Sequence, residues 1–153
     1  MTALPFIDEH SRSIAAPPSA VWEAVGRVMD RSFDGSNAVT RAFARGFLHA
    51  EPARAAGPRP LEPGSEVTGF RVVDAVEGER LALEGHHRFS RYRLEFTIDP
   101  EDGGTRLRAR TYAEFPGVRG RLYRAFVIDS RAHLVLVRRM LRSAARRAER
   151  ART

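Results

Sequence analysis

The feature that most constrains this chain is the run from Glu66 to Phe115, where apolar and polar side chains alternate with a period of two. The cleanest stretch sets Leu107, Ala109, Thr111, Ala113 and Phe115 against Arg106, Arg108, Arg110, Tyr112 and Glu114. Before it, Tyr92, Leu94, Phe96 and Ile98 alternate with Arg91, Arg93, Glu95 and Thr97. Successive side chains of a strand point to opposite faces, so this pattern predicts an antiparallel meander with one covered and one wet face. Turns at "EGE", residues 77–79, and "PEDGG", residues 100–104, divide it.

A one-faced sheet needs a cover, and the C-terminal third supplies it. Leu122, Ala125, Phe126, Ala132, Leu136 and Met140 form one apolar stripe, widened by Leu134, Val137 and Leu141, while Arg131, Arg138, Arg142 and Arg146 step down the opposite side. The spacing predicts one long helix beginning after Pro116 and Gly117, with residues 143–153 as a frayed basic tail. Upstream, residues 6–15 predict a short strand with mediocre alternation. Pro18 then opens a helix with Val21, Trp22, Val25, Val28 and Met29 on one side and Trp22 in the core. Asn37 can cap a second helix, in which Val39, Phe43 and Phe47 step by four. Residues 51–65 carry four prolines and two glycines and read as a loop, with room for one short edge strand somewhere in 44–67. Neither half can bury a core alone, so residues 1–153 are expected to form a single domain.

Composition narrows the functions. With no cysteine, disulfides, thiolate metal sites and cysteine nucleophiles are excluded. The N-terminal ten residues lack the basic start and apolar run of a signal peptide, and no stretch reaches the roughly 18 apolar residues of a membrane span. A cytoplasmic protein, monomeric or homodimeric, is expected. The net charge is +7, every basic residue is arginine, and the excess lies in residues 119–153, where 11 arginines face only Asp129 and Glu149. An all-arginine usage reflects a GC-rich coding bias as much as a phosphate-binding surface, so nucleic acid is disfavoured as a partner.

The order of one strand, two short helices, antiparallel strands and a long C-terminal helix resembles the helix-grip fold of the START-like superfamily. That superfamily is also called SRPBCC, polyketide cyclase-like or Bet v 1-like. "IDEHSRSIAAPPSAVWEAV" is similar to its usual opening, a strand followed by Ala-Pro, a short gap and Val-Trp. "FPGVRGRLYRAFVIDSRAHLVLVRRMLRSAARRA" resembles the end of a poorly characterised branch, with Phe-Pro-Gly, Gly-Arg-x-Tyr and a helical histidine. The resemblance implies an α+β protein whose sheet wraps the last helix and leaves an apolar cavity, with the second helix at its mouth.

Strand phase and helix spacing then select the residues that would face this cavity. They are Phe47, Leu83, His87, Tyr92, Leu94, Phe96, Ala109, Thr111, Ala113, Tyr123, Phe126 and His133, with His87, Tyr92 and Tyr123 as candidate catalytic groups. His86 and His87 are adjacent and so point to opposite faces, which with the absence of any HxH or HExxH spacing argues against a metal site. Glu114 is expected to pair with Arg119 or Arg121. No motif implies a cofactor. The function expected is binding of a hydrophobic small molecule, a lipid, polyketide or similar metabolite. The alternatives are a polyketide cyclase or aromatase-like enzyme using pocket His, Tyr and Arg, and a nucleic-acid or anionic-membrane binder acting through the arginine-rich helix.

Overall fold

The structure is a computed structural model in which residues 3–32, 55–67, 69–87, 90–125 and 131–151 are described, without the side chains of His87, Tyr123 and Ala132. Six strands, β1 (Phe6–Ile14), β2 (Glu66–Val67), β3 (Phe70–Val76), β4 (Arg80–His87), β5 (Ser90–Glu101) and β6 (Gly104–Glu114), form one open sheet. Its order is β1-β6-β5-β4-β3-β2, and every pairing is antiparallel. The short edge strand expected within 44–67 is β2, extended by an isolated bridge between Ala56 and Glu66. The second helix expected from Asn37 lies outside the described residues.

The period-two pattern sorts the faces as physics requires. Leu81, Leu83, Leu94, Phe96, Ile98, Leu107, Ala109 and Ala113 are buried on the inner face. On the outer face, Arg93 bridges Glu84 and Glu95, each at 3.0 Å, and Arg110 reaches Glu9. Arg91 takes Glu114 at 3.2 Å, so that carboxylate is held across the β5–β6 ladder rather than by Arg119 or Arg121.

Helix α1 (Pro18–Ser32) starts with proline at its first position, where the missing N–H costs nothing, and buries Val21, Ala24, Val25, Val28 and Met29. Trp22 is half-buried and packs against that core. Two more helices are described near the C-terminus, α2 (Gly117–Arg124) and α3 (Ala132–Arg150). The single long helix expected from the apolar stripe is therefore interrupted. Arg131 holds a left-handed backbone at φ 62°, which cannot continue a right-handed helix, and α3 starts at the next residue. Leu122, on the N-terminal side of the break, is exposed, whereas Leu136, Val137, Met140 and Leu141 are buried.

The segment 143–150, expected as a frayed tail, is helical. Ala144, Ala145 and Ala148 are each at most 2% exposed, and small side chains let α3 lie close to α1 and β1. Thr105, fully buried, donates its hydroxyl to the Ala16 carbonyl at 2.7 Å and ties β6 to the chain entering α1.

The proline-rich loop is organised by one side chain. Arg59 donates to the Ala56, Pro58 and Glu66 carbonyls at 3.1, 3.0 and 2.8 Å, and its Nε bonds Asp30 of α1 at 2.9 Å. The guanidinium thereby ties Pro58 and the two ends of the Ala56–Glu66 bridge to α1.

Candidate functional site

The site is built where β1 meets the start of α3, and a bulge creates it. Phe6 pairs with Tyr112 but Asp8 pairs with Thr111, leaving Ile7 as an extra residue on β1. Without the bulge, strand phase would put Asp8 on the outer face with Phe6. With it, Asp8 falls in phase with His10 and the buried Ile14 on the inner face. His133, in the first turn of α3, comes down onto the same spot.

His133 Nε2 lies 2.5 Å from Asp8 Oδ2, and with a proton on Nε2 it donates to the carboxylate. His10 Nε2 lies 3.3 Å from the same oxygen, near enough to feel its charge but outside hydrogen-bond geometry. The three side chains are only 12 to 24% exposed. Burial opposes ionisation of Asp8, yet the hydrogen bond and charge of His133 outweigh it, with His10 contributing less, and the carboxyl sits below its ordinary value of 3.8.

Several atoms of this cluster are buried without a hydrogen-bond partner among the described residues: Asp8 Oδ1, His10 Nε2, His133 Nδ1 and, directly opposite Asp8 in the register, Thr111 Oγ1. An orphaned buried polar group costs about 1–3 kcal/mol, so a concentration of them makes this corner a candidate site. In the charged ring Nδ1 is a second donor, and in the neutral ring with its proton on Nε2 it carries a lone pair, so Nδ1 can give or take a proton at this spot.

The apolar wall beside this cluster is formed by residues that strand phase selects. Reading across the sheet, Asp8, Thr111, Leu94 and Leu83 form one row, and His10, Ala109 and Phe96 form the next. Tyr92, opposite Ala113, is a clamp. Its ring lies over Gly85, where an added Cβ would come within 2.5 Å of Tyr92 Cε2 and 2.0 Å of the Gly69 carbonyl, and its hydroxyl donates to that carbonyl at 2.8 Å. An edge-to-face contact with Phe70, centroids 5.1 Å apart, completes the packing.

His87 pairs in register with Ser90, itself buried and with no partner for its Oγ among the described residues, but the His87 side chain is not described. The Tyr123 side chain, Phe47 and Phe126 also lie outside the described residues. Asp8, His10 and Ser90 escape a reading of the sequence alone, and the signal for the first two is their position two apart in phase with the apolar Ile14. Among the described residues no group of three or more His, Asp or Glu side chains is placed to hold a metal ion. No described helix is long and apolar enough to cross a membrane.

Concavities also lie elsewhere among the described residues. One, of about 390 Å³, runs between α1 and the loop at Arg59, with Trp22, Leu61 and Leu81 among its lining. Another, of about 720 Å³, lies between α1 and α3 and is rich in arginine.

An open antiparallel sheet backed by a C-terminal helix is a helix-grip fold, and solved structures share it. A protein from Nitrosospira multiformis matches with a TM-score of 0.61 at 15% identity, over 97% of this chain and 100% of that one. Ara h 8.0201 matches at 0.57 and 12% identity, over 94% and 96%. The di-domain ARO/CYC StfQ from the steffimycin biosynthetic pathway matches at 0.58 and 14%, over 95% of this chain and 51% of that one. At such identities the likeness is one of fold. The chain belongs to the family described as Protein of unknown function (DUF2867), whose model matches residues 2–140. No curated protein matches it in sequence.

Proposed function

We propose that the protein binds an apolar small molecule carrying a few oxygen groups, held between the inner face of the sheet and the start of α3. The observation that carries this reading is the cluster of orphaned polar atoms, Asp8 Oδ1, His10 Nε2, Thr111 Oγ1 and His133 Nδ1, set beside a wall of Leu83, Leu94, Phe96 and Ala109. A largely apolar site with a few convergent polar groups is the usual composition of a small-molecule pocket. Carbonyl or hydroxyl groups on the ligand would meet Thr111 and His133 while its hydrocarbon lies on the wall. A lipid or polyketide-like metabolite fits this description.

Native mass spectrometry of the purified chain tests it. The expected result is a copurified apolar compound that is lost from Thr111→Val combined with His133→Phe. A chain that emerges bare and takes up no fatty acid or aromatic polyketide probe removes the reading.

A second reading is favoured by the Asp8–His133 pair, since a hydrogen-bonded carboxylate and imidazole form a proton carrier of the kind a cyclase needs. On that reading the pair abstracts a proton from a carbon next to a ligand carbonyl, and Asp8 holds the ring in place. StfQ, a protein of the same fold whose name records an ARO/CYC role, makes this worth testing. Turnover of a poly-carbonyl substrate that survives His133→Gln would reject it.

A further inference from the structure

The arginine-rich concavity between α1 and α3 lies outside the interior site. Its lining includes Arg27, Arg31, Arg146, Arg147 and Arg150, against one carboxylate, Glu23, and the remaining residues are alanine and serine. Five guanidiniums facing one acid differs from the arrangement across the sheet from β2 to β6. On the strands, Arg71, Arg80, Arg91, Arg93, Arg106, Arg108 and Arg110 each lie within 4.0 Å of a carboxylate. The neighbouring acids of the helices are directed away: Asp30 pairs with Arg59, and Glu149 accepts from the Ala15 N–H at 3.3 Å. Arg27, Arg31, Arg146 and Arg147 have no hydrogen-bonded or ion-paired partner among the described residues.

Helix-dipole compensation explains only part of this. Arg31 is in the last turn of α1, and Arg147 and Arg150 are in the last turn of α3, where a cation is favourable. Arg27 and Arg146 lie outside those turns. The arrangement is also strained electrostatically: burial, then Arg31, Arg27 and Arg150, hold Arg147 below the usual arginine value. Like charges gathered around a hollow with a single carboxylate among them are stabilised by an anion that fills it.

We infer that the α1–α3 concavity binds a small polyanion bearing phosphate groups. Guanidinium forks match phosphate oxygens two at a time, which gives both affinity and orientation. The volume, about 720 Å³, suits a diphosphate-sized group with room for what it is attached to. The lining holds no aromatic on which a base could stack, so the shape favours a discrete phosphate group over a single-stranded nucleic acid. The phosphate could belong to a soluble metabolite or to a lipid headgroup, and the chemistry of capture is the same.

Thermal unfolding of the full chain with sodium pyrophosphate, at constant physiological ionic strength, tests the inference. The wild type is expected to show a saturable rise in Tm that Arg27→Gln combined with Arg147→Gln abolishes, with affinity falling roughly tenfold per arginine removed. Arg138→Gln combined with Arg142→Gln, on the exposed side of α3, should keep it. Without pyrophosphate, the Arg27/Arg147 variant should be as stable as the wild type or more so, because repulsion is relieved. A lower Tm for it would show that the arginines are structural, and a rise that persists in it would show diffuse ion binding; either overturns the proposal. Phosphatidylglycerol vesicles that bind and are displaced by pyrophosphate would assign the phosphate to a headgroup, and absence of vesicle binding would assign it to a soluble molecule. A single-stranded oligonucleotide that binds the Arg27/Arg147 variant and the wild type alike, and resists pyrophosphate, would overturn it too.

Discussion

The Asp8 carboxyl couples the first strand to the last helix, and its ionisation makes that coupling depend on pH. Its value in the folded protein is depressed below 3.8, so the stability it contributes is present above 3.8 and disappears as pH falls through the lower, folded value. Asp8→Asn keeps the shape but loses the charge, and should cost roughly 1.5–3 kcal/mol at pH 6, as expected for a hydrogen bond to a charged group. The gap between wild type and variant in urea midpoint should close only below pH 4; a gap unchanged down to pH 3 would show that the carboxylate contributes no charge-dependent stability. At the other side of the sheet, Gly85→Ala should be among the most disruptive small substitutions in the chain. The new methyl would meet backbone and the Tyr92 ring at once, costing about 1–3 kcal/mol or more, read as a fall in Tm. Tyr92 itself illustrates what strand phase conveys. Its inward position follows from alternation with Arg91 and Arg93, but its bond to Gly69 depends on a neighbour that no local pattern names.

At the level of elements, β4, β5 and β6 were legible because both faces of each strand are in different media, and a period of two is the direct imprint of that. β1 was harder to read. Asp8, His10 and Arg12 put polar side chains in the phase of the buried Ile14, so the alternation looks poor, and the extra residue Ile7 sets Phe6 out of that phase. The break before α3 was equally concealed, since the apolar stripe of a helix continues across a gap of a few residues and arginine is a good helix former. What stops the helix is a backbone angle. Arg131→Gly should therefore be tolerated or mildly stabilising, by at most about 1 kcal/mol, because glycine adopts positive φ without the Cβ penalty but loses more entropy on folding. A Tm that drops by more than 5 °C, at roughly 2–4 °C per kcal/mol for a chain this size, would show that the Arg131 side chain holds the break rather than its backbone.

The whole molecule divides its charge by architecture. The sheet's outer face pairs its arginines with carboxylates across strands, individually weak contacts worth at most about 1 kcal/mol each, while the α1–α3 concavity gathers five arginines around one acid, Glu23. Composition therefore exposes the excess but not its arrangement, because sign and count survive in a sequence while the convergence of two helices does not. The same convergence makes the C-terminus part of the core. Ala144, Ala145 and Ala148 each bury a methyl against the body of the protein, worth about 0.8 kcal/mol per group, and removing them also exposes the faces of α1 and β1 that they cover. Truncation after Arg142 should thus cost several kcal/mol, a large share of the roughly 5–15 kcal/mol that holds a domain together. The expected outcome is a chain with a broadened or lost thermal transition and increased binding of a hydrophobic dye. A truncated chain that melts as sharply and as high as the full one would mean that α1 keeps its cover without these residues, and that the last two turns of α3 contribute little beyond their charge.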